Sequence, residues 1–103
     1  MTSLLCLDDS IDGTRMYFED TDQGLSDAYD EFSEKVIHWI NDPDNSYDHL
    51  DVSLFIDRVM PGKEPEDVYS LQDTNPGTFL SDEAIDAIRE YEIQNGLHNK
   101  FNL

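Results

Sequence analysis

The segment around residue 10 carries the motif with the most specific chemistry in this sequence. Asp8, Ser10 and Asp12 alternate with other residues, Gly13 follows directly, and Glu19 stands eleven residues after Asp8. This is the spacing of a calcium loop, which places oxygen ligands at loop positions 1, 3, 5 and 12 and a glycine at position 6 for the sharp turn. Asp8, Ser10, Asp12 and Glu19 are therefore candidate ligands for a metal ion.

Other features of the same segment favour a plain acidic turn. Arg15 occupies loop position 8, which is normally apolar, and it would bring a cation beside the bound ion. Gly24 follows Glu19 closely and shortens the space for an exiting helix. Because the chain contains 24 Asp plus Glu residues, such spacings also arise by chance. We keep a calcium-binding module that uses residues 8–19 as the least favoured of three functional alternatives.

The residues that usually assemble a catalytic site do not form one here. Cys6 lies among leucines, which predicts a small buried apolar side chain. The histidines His38, His49 and His98 share no metal-ligand spacing, and the five glycines are isolated, so no phosphate-binding loop is predicted. We expect no enzyme, no catalytic residues and no cofactor.

The sign of the charge is the main anomaly of the composition. The 103 residues include 24 Asp plus Glu against 6 Lys plus Arg, which gives a formal charge of −18. Binding to phosphates needs clustered Lys and Arg, so direct nucleic-acid binding is excluded, and docking to anionic membranes is disfavoured. Apolar residues are 38% and aromatic residues 11% of the chain, which is enough for a folded core. The expected partner is a basic protein.

The elements that carry these charges can be predicted from spacing. Short apolar segments at 3–7 and 14–18 flank an Asp-Gly turn and predict a β-hairpin. An apolar stripe from Leu25 to Ile40 predicts a helix over 26–41 with Ser26 as its N-cap, and alternation over 50–60 predicts a strand. For residues 66–71 a helical turn and a short strand remain open.

A second amphipathic helix is predicted after Ser81, with Gly96 in the left-handed conformation at its end and Leu97 packed against it. The tail from His98 to Leu103 is expected to dock through Phe101 and Leu103. The result is one α+β domain over residues 1–103, in the order β-β-α-β-α. The N-terminus lacks the features of a signal peptide, and the apolar runs are too short to cross a membrane. We expect a soluble cytoplasmic protein, either a monomer or a homodimer.

Acidic residues recur at helical spacing on the polar sides of both predicted helices. Like charges at i, i+4 destabilise a helix by a few tenths of a kcal/mol, so a surface optimised only for stability would alternate their signs. With the acidic loops, these rows define the candidate partner-binding residues. They are Asp27, Asp30, Glu31, Glu34, Asp42, Asp44, Tyr47, Asp48, Glu66, Asp67, Asp82, Glu83, Asp86 and Glu90.

Three interpretations of this surface follow. The favoured one is a non-catalytic inhibitor that mimics DNA and blocks the basic groove of a nuclease, restriction enzyme or CRISPR effector. In composition alone the chain resembles phage anti-restriction and anti-CRISPR proteins, and no motif ties it to one family. The alternative is an immunity protein that neutralises a basic nuclease toxin, with Tyr47 or Tyr69 as an aromatic anchor. The third is a surface kept acidic only for solubility or for a salty environment.

Overall fold

A computed structural model describes residues 3–42, 54–70 and 80–96, with only the backbone of Asp67. It confirms the predicted α+β fold, in the order of a β-hairpin, a helix, further strands and a second helix. The strands are β1 (Leu4–Asp9), β2 (Thr14–Glu19), β3 (Leu54–Val59) and β4 (Glu66–Ser70), and the helices are α1 (Asp22–Asn41) and α2 (Asp82–Gln94).

The described strands form one antiparallel sheet in the order β2-β1-β3-β4. β1 pairs with β2 without interruption from Leu4 opposite Glu19 to Asp9 opposite Thr14. Gly13, at φ 74°, supplies the left-handed residue of the connecting turn. β1 also pairs with β3, whereas the β3–β4 register shifts between Ile56 and Asp57.

Alternation along the strands divides the sheet into two faces. On one face Leu5, Leu7, Leu54 and Ile56 are fully buried in the core, together with Phe32 of α1. The other face carries Cys6, which is 3% exposed, and Tyr17, which is 59% exposed. The prediction of a buried Cys6 is thus confirmed, and burial raises the pKa of its thiol, helped by the nearby carboxylate of Asp8.

The predicted start of α1 is wrong by one turn. The helix begins at Asp22, and the Thr21 hydroxyl, not that of Ser26, accepts the backbone N–H of Gly24 at 3.1 Å. Ser26 is an exposed residue inside the helix. The glycine at 24 made residues 19–24 resemble a loop, but Thr21 caps the helix and Gly24 lies inside its first turn.

The remaining boundaries are mostly confirmed. β3 begins at Leu54 among the described residues, and the predicted strand residues 50–53 lie outside them. Residues 66–70 are a strand, which decides between the two readings of that segment. Ser81 caps α2 by accepting the N–H of Ala84 at 3.2 Å, and Gly96 has φ 68°. Leu97 and the tail 98–103 lie outside the described residues.

The two helices lie side by side and run in the same direction. The backbone N–H of Ser81, at the start of α2, donates to the hydroxyl of Ser33 in α1 at 2.9 Å. About two turns further along α1, Ile40 and Asn41 line a cleft with Tyr91 and other residues of α2. Ala84 and Ile88 join the core beneath this contact. Among the described residues, no helix combines the length and apolar character needed to cross a bilayer.

Candidate acidic interface on the helix pair

Most of the acids of α1 and α2 are exposed to solvent. On α1, Asp27, Asp30 and Glu34 are exposed and Glu31 is half-buried. On α2 all four predicted acids are exposed. We call the exposed set the acidic face, and its members are Asp27, Asp30, Glu34, Asp82, Glu83, Asp86 and Glu90.

The clefts between the helices show how the two rows meet. Asp30 and Glu34 line one cleft together with Glu83, so carboxylates of both helices share it. A second cleft lies further along both helices, past Ile37, and Glu90 and Tyr91 line it. Because residues at i, i+4 and i+7 share one side of a helix, Ala87 and Glu90 lie on the same side of α2 as Glu83. Across the second cleft, however, Glu90 meets Ile40 and Asn41 of α1. The acidic face therefore crosses the groove between the helices at the first cleft, through Asp30, Glu34 and Glu83.

The dimensions of this face follow from helix geometry. Acids three or four residues apart, as in Asp27, Asp30 and Glu34 or in Glu83, Asp86 and Glu90, differ in level by about 4.5–6 Å. Packed helix axes lie about 8–10 Å apart. Glu31 projects about 100° from Asp30 around α1 and stands at one margin. Asp82 stands about 100° from Glu83 at the opposite margin. The arrangement presents two roughly parallel rows of carboxylates on a rigid support.

Basic side chains do little to neutralise the acidic face. Lys35 is the only Lys or Arg of α1, and its ammonium is turned towards the hairpin, where it lies 3.2 Å from a carboxylate oxygen of Asp9. Arg89 is the corresponding residue of α2 and stays exposed. Among the described basic residues, Arg15 and Arg58 belong to the sheet and bind Asp8 and Asp20.

The other candidate residues are not joined to this face by the described structure. Asp42 follows α1 as its C-cap. Glu66 lies on β4, opposite Arg58, and Asp67 is next to it in the same strand. Tyr69 is half-buried and stacks edge-on against Tyr29, with 5.2 Å between ring centroids, so it belongs to the core. Asp44, Tyr47 and Asp48 lie outside the described residues.

The hairpin register does not bring the candidate calcium ligands together. Glu19 pairs with Leu4, at the end of the hairpin far from the turn, whereas Asp12 lies in the turn itself. Five residues of strand, about 17 Å, separate Leu4 from Asp9, so Asp8, Asp12 and Glu19 cannot close on one ion. Asp8 instead binds Arg15 at 2.6 Å. No cluster of metal-binding side chains occurs among the residues that the structure describes.

The sequence reading missed a structural role for Asp9. Its carboxylate accepts the Lys35 ammonium at 3.2 Å, the Trp39 indole N–H at 3.1 Å and the backbone N–H of Ile11 at 3.0 Å. We call Asp9, Lys35, Trp39 and the Ile11 amide the Asp9 cluster. The alternation Leu5, Leu7, Asp9 was the available signal, because it puts this carboxylate on the core face of β1.

A second structural acid joins the sheet to the start of α1. The Ser3 hydroxyl donates to Asp20, and the Arg58 guanidinium lies 2.9 Å from the same carboxylate. These interactions lower the pKa of Asp20, the hydrogen bond from Ser3 most of all. In the hairpin turn, hydrogen bonds from Thr14 similarly lower the pKa of Asp12.

These depressed pKa values predict a measurable acid sensitivity. A carboxylate with a lower pKa in the folded state stabilises the fold above its unfolded pKa of about 3.9, and that contribution disappears as the pH falls through the folded pKa. We expect D20N to lose stability less steeply than the parent between about pH 5 and pH 2. Urea unfolding at a series of pH values measures this slope, with D22N at the exposed start of α1 as control. Equal slopes for the parent and D20N would contradict the assignment.

Comparisons with protein-family models, with curated proteins and with solved structures found no match to this chain. The functional argument consequently depends on the geometry and charge of the acidic face.

Proposed function

We propose that this protein is a non-catalytic inhibitor that mimics DNA and occupies the basic groove of a nucleic-acid-handling enzyme in the cytoplasm. Candidate targets are a nuclease, a restriction enzyme or a CRISPR effector, and the inhibitor would then serve a phage or plasmid. The observation that carries the proposal is the acidic face, where carboxylates of two parallel helices border one groove.

The physical basis is the inverse of phosphate recognition. A groove lined with Lys and Arg is built to neutralise rows of phosphates. Carboxylates accept the same charge-assisted hydrogen bonds, including bidentate bonds from Arg. With a formal charge of −18, the protein would also be steered towards such a groove over long distances. Binding should therefore be fast and should weaken as salt screens the charges.

A salt-dependent capture experiment tests the partner class. The tagged protein is incubated with bacterial lysate at about 50 mM and about 500 mM NaCl, which brackets strong and weak screening. We expect nucleic-acid-binding enzymes to be retained at low salt, to be released at high salt and to lose activity when bound. Retention of no such enzyme at low salt would contradict the proposal.

Charge reversal locates the contact on the molecule. The triple variant D30K/E34K/E83K changes the cleft-lining acids, and we expect it to abolish capture while circular dichroism shows a preserved fold. The matched control E19K/E64K/E66K makes the same change in net charge at exposed positions outside the helix pair. Equal loss in both variants would show that only net charge matters, and the acidic face would then be no specific interface.

A second function within the same class is an immunity protein against a basic nuclease toxin. The observation that favours it is Tyr91, a half-buried ring that packs against the core and also lines the second cleft beside Glu90, where a partner could contact it. The two functions predict different captured enzymes, since a toxin comes from the producer of the protein and a defence enzyme comes from the host. A Y91A variant should weaken toxin binding by about tenfold or more if the ring is a hot spot.

A further inference from the structure

β2 is an exposed edge of the described sheet. It is six residues long, contains no proline, and pairs with β1 without a bulge. None of its residues is buried, and Tyr17 is 59% exposed. An edge strand of this kind presents unpaired backbone groups that can pair with another strand.

The opposite edge, β4, is built differently. Its pairing with β3 contains a register shift at Ile56 and Asp57, and Pro65 comes directly before it. Bulges and prolines are devices that prevent edge-to-edge pairing. Only β2, of the two edges described, lacks them, so a strand added to this sheet would add there.

The sequence of β2 is complementary to itself in the antiparallel direction. When Tyr17 is placed opposite Tyr17 of a second copy, Arg15 falls opposite Glu19 on the same face of the sheet, and the pair occurs twice. On the other face Met16 falls opposite Phe18, and both are half-buried in the single chain. The Arg15 side chain remains 66% exposed despite its bond to Asp8, so its guanidinium can reach a second carboxylate.

We propose that β2 pairs with β2 of a second copy and forms a two-fold symmetric dimer with a continuous eight-stranded sheet. The register is fixed by the Arg15–Glu19 pairs and by the central Tyr17 pair. This interface goes beyond the proposed inhibitory function and is independent of it, because it uses the sheet edge and not the acidic face. Only a short strand is buried, so the dimer belongs to the weak class of interfaces.

The net charge gives this dimer an unusual dependence on salt. Two chains of formal charge −18 repel each other, whereas the two exposed Arg15–Glu19 pairs contribute little energy. Salt should therefore strengthen the dimer. A complex with a basic enzyme should respond in the opposite direction.

Sedimentation equilibrium of the full chain tests the interface without any partner. We expect the average mass to rise from monomer towards dimer between about 10 µM and 1 mM protein, and to rise further when NaCl increases from about 50 to 500 mM. The variant E19R places two arginines opposite each other in both pairs and should stay monomeric. E66R makes the same change at the other edge and should dimerise like the parent.

A charge exchange makes the test specific for the register. R15E alone should also be monomeric, but an equimolar mixture of R15E and E19R restores both opposite-charge pairs and should form a heterodimer. Circular dichroism checks that each variant is folded, and if R15E is not, the comparison of E19R with E66R decides the proposal. A parent that stays monomeric at every concentration, or an E19R dimer as stable as the parent's, would overturn the proposal. Neither outcome bears on enzyme capture by the acidic face.

Discussion

Gly24→Ala is expected to destabilise the protein by about 3 kcal/mol or more, the upper range for overpacking. Gly24 lies in the first turn of α1, where the backbone packs directly on the Glu19 carbonyl at the end of β2. A Cβ at this position would overlap that carbonyl oxygen, and the obstacle is backbone that cannot rotate away. The helix would have to move off the hairpin.

A loss of stability on this substitution would distinguish Gly24 from an ordinary helical glycine. In an ordinary helical site, Gly→Ala stabilises by up to about 1 kcal/mol because alanine has the higher helix propensity. Ser26→Ala, at an exposed position two residues further along the same helix, is the matched control and should change stability by less than about 0.5 kcal/mol. Urea unfolding of both variants measures the difference. A Gly24→Ala protein as stable as the parent would mean that α1 does not pack on Glu19 as described.

Asp9→Ala should lower the free energy of unfolding by about 3 kcal/mol, which is the lower end of the range for removing one member of a buried ion pair. The Asp9 side chain is fully buried, and its loss leaves the Lys35 ammonium, the Trp39 indole and the Ile11 amide without their shared acceptor. Lys35 retains the Asp12 carboxylate at 3.9 Å and the Thr14 hydroxyl at 3.4 Å, and these two contacts reduce the loss of stability.

A compensating variant separates charge from packing. Replacing both members of the pair by apolar residues of similar size, as in D9L/K35M, should recover part of the lost stability because no buried charge remains unpaired. Asp12→Ala, in the same turn but with a side chain 38% exposed, should cost about 1 kcal/mol or less. Unfolding followed by circular dichroism compares these proteins. An equal loss of stability in Asp9→Ala and Asp12→Ala would show that the Asp9 cluster does not hold the turn to α1.

The fold was predictable where spacing alone determines the structure. The stripe from Ala28 to Ile40 and the alternation of Leu54 and Ile56 each bury one side of an element, and both were confirmed. The start of α1 was not predictable, because Gly24 reads as a loop residue until its contact with Glu19 is known. That contact joins elements through tertiary packing, which a local pattern does not contain.

The candidate site was also predictable only where local spacing determines the position of a residue. Helical periodicity correctly put Asp30, Glu34 and Glu83 on exposed surfaces, but only the parallel packing of the helices brings them to one cleft. The spacing of the calcium motif could not show that its residues lie apart, because the strand register places Glu19 at the end of the hairpin far from the turn. A count of acids likewise could not reveal that Asp9 is internal and holds the turn to the helix.

The place of β1 in the sheet has a consequence for the order of folding. Its contacts with β2 and α1, including the Asp9 cluster, involve only residues up to 42, whereas its pairing with β3 must wait until residues 54–59 have left the ribosome. We expect the hairpin and α1 to associate first, since shorter loops close at lower entropic cost. During that interval one edge of β1 stays open, so the nascent chain depends on its own high negative charge to keep neighbouring chains apart.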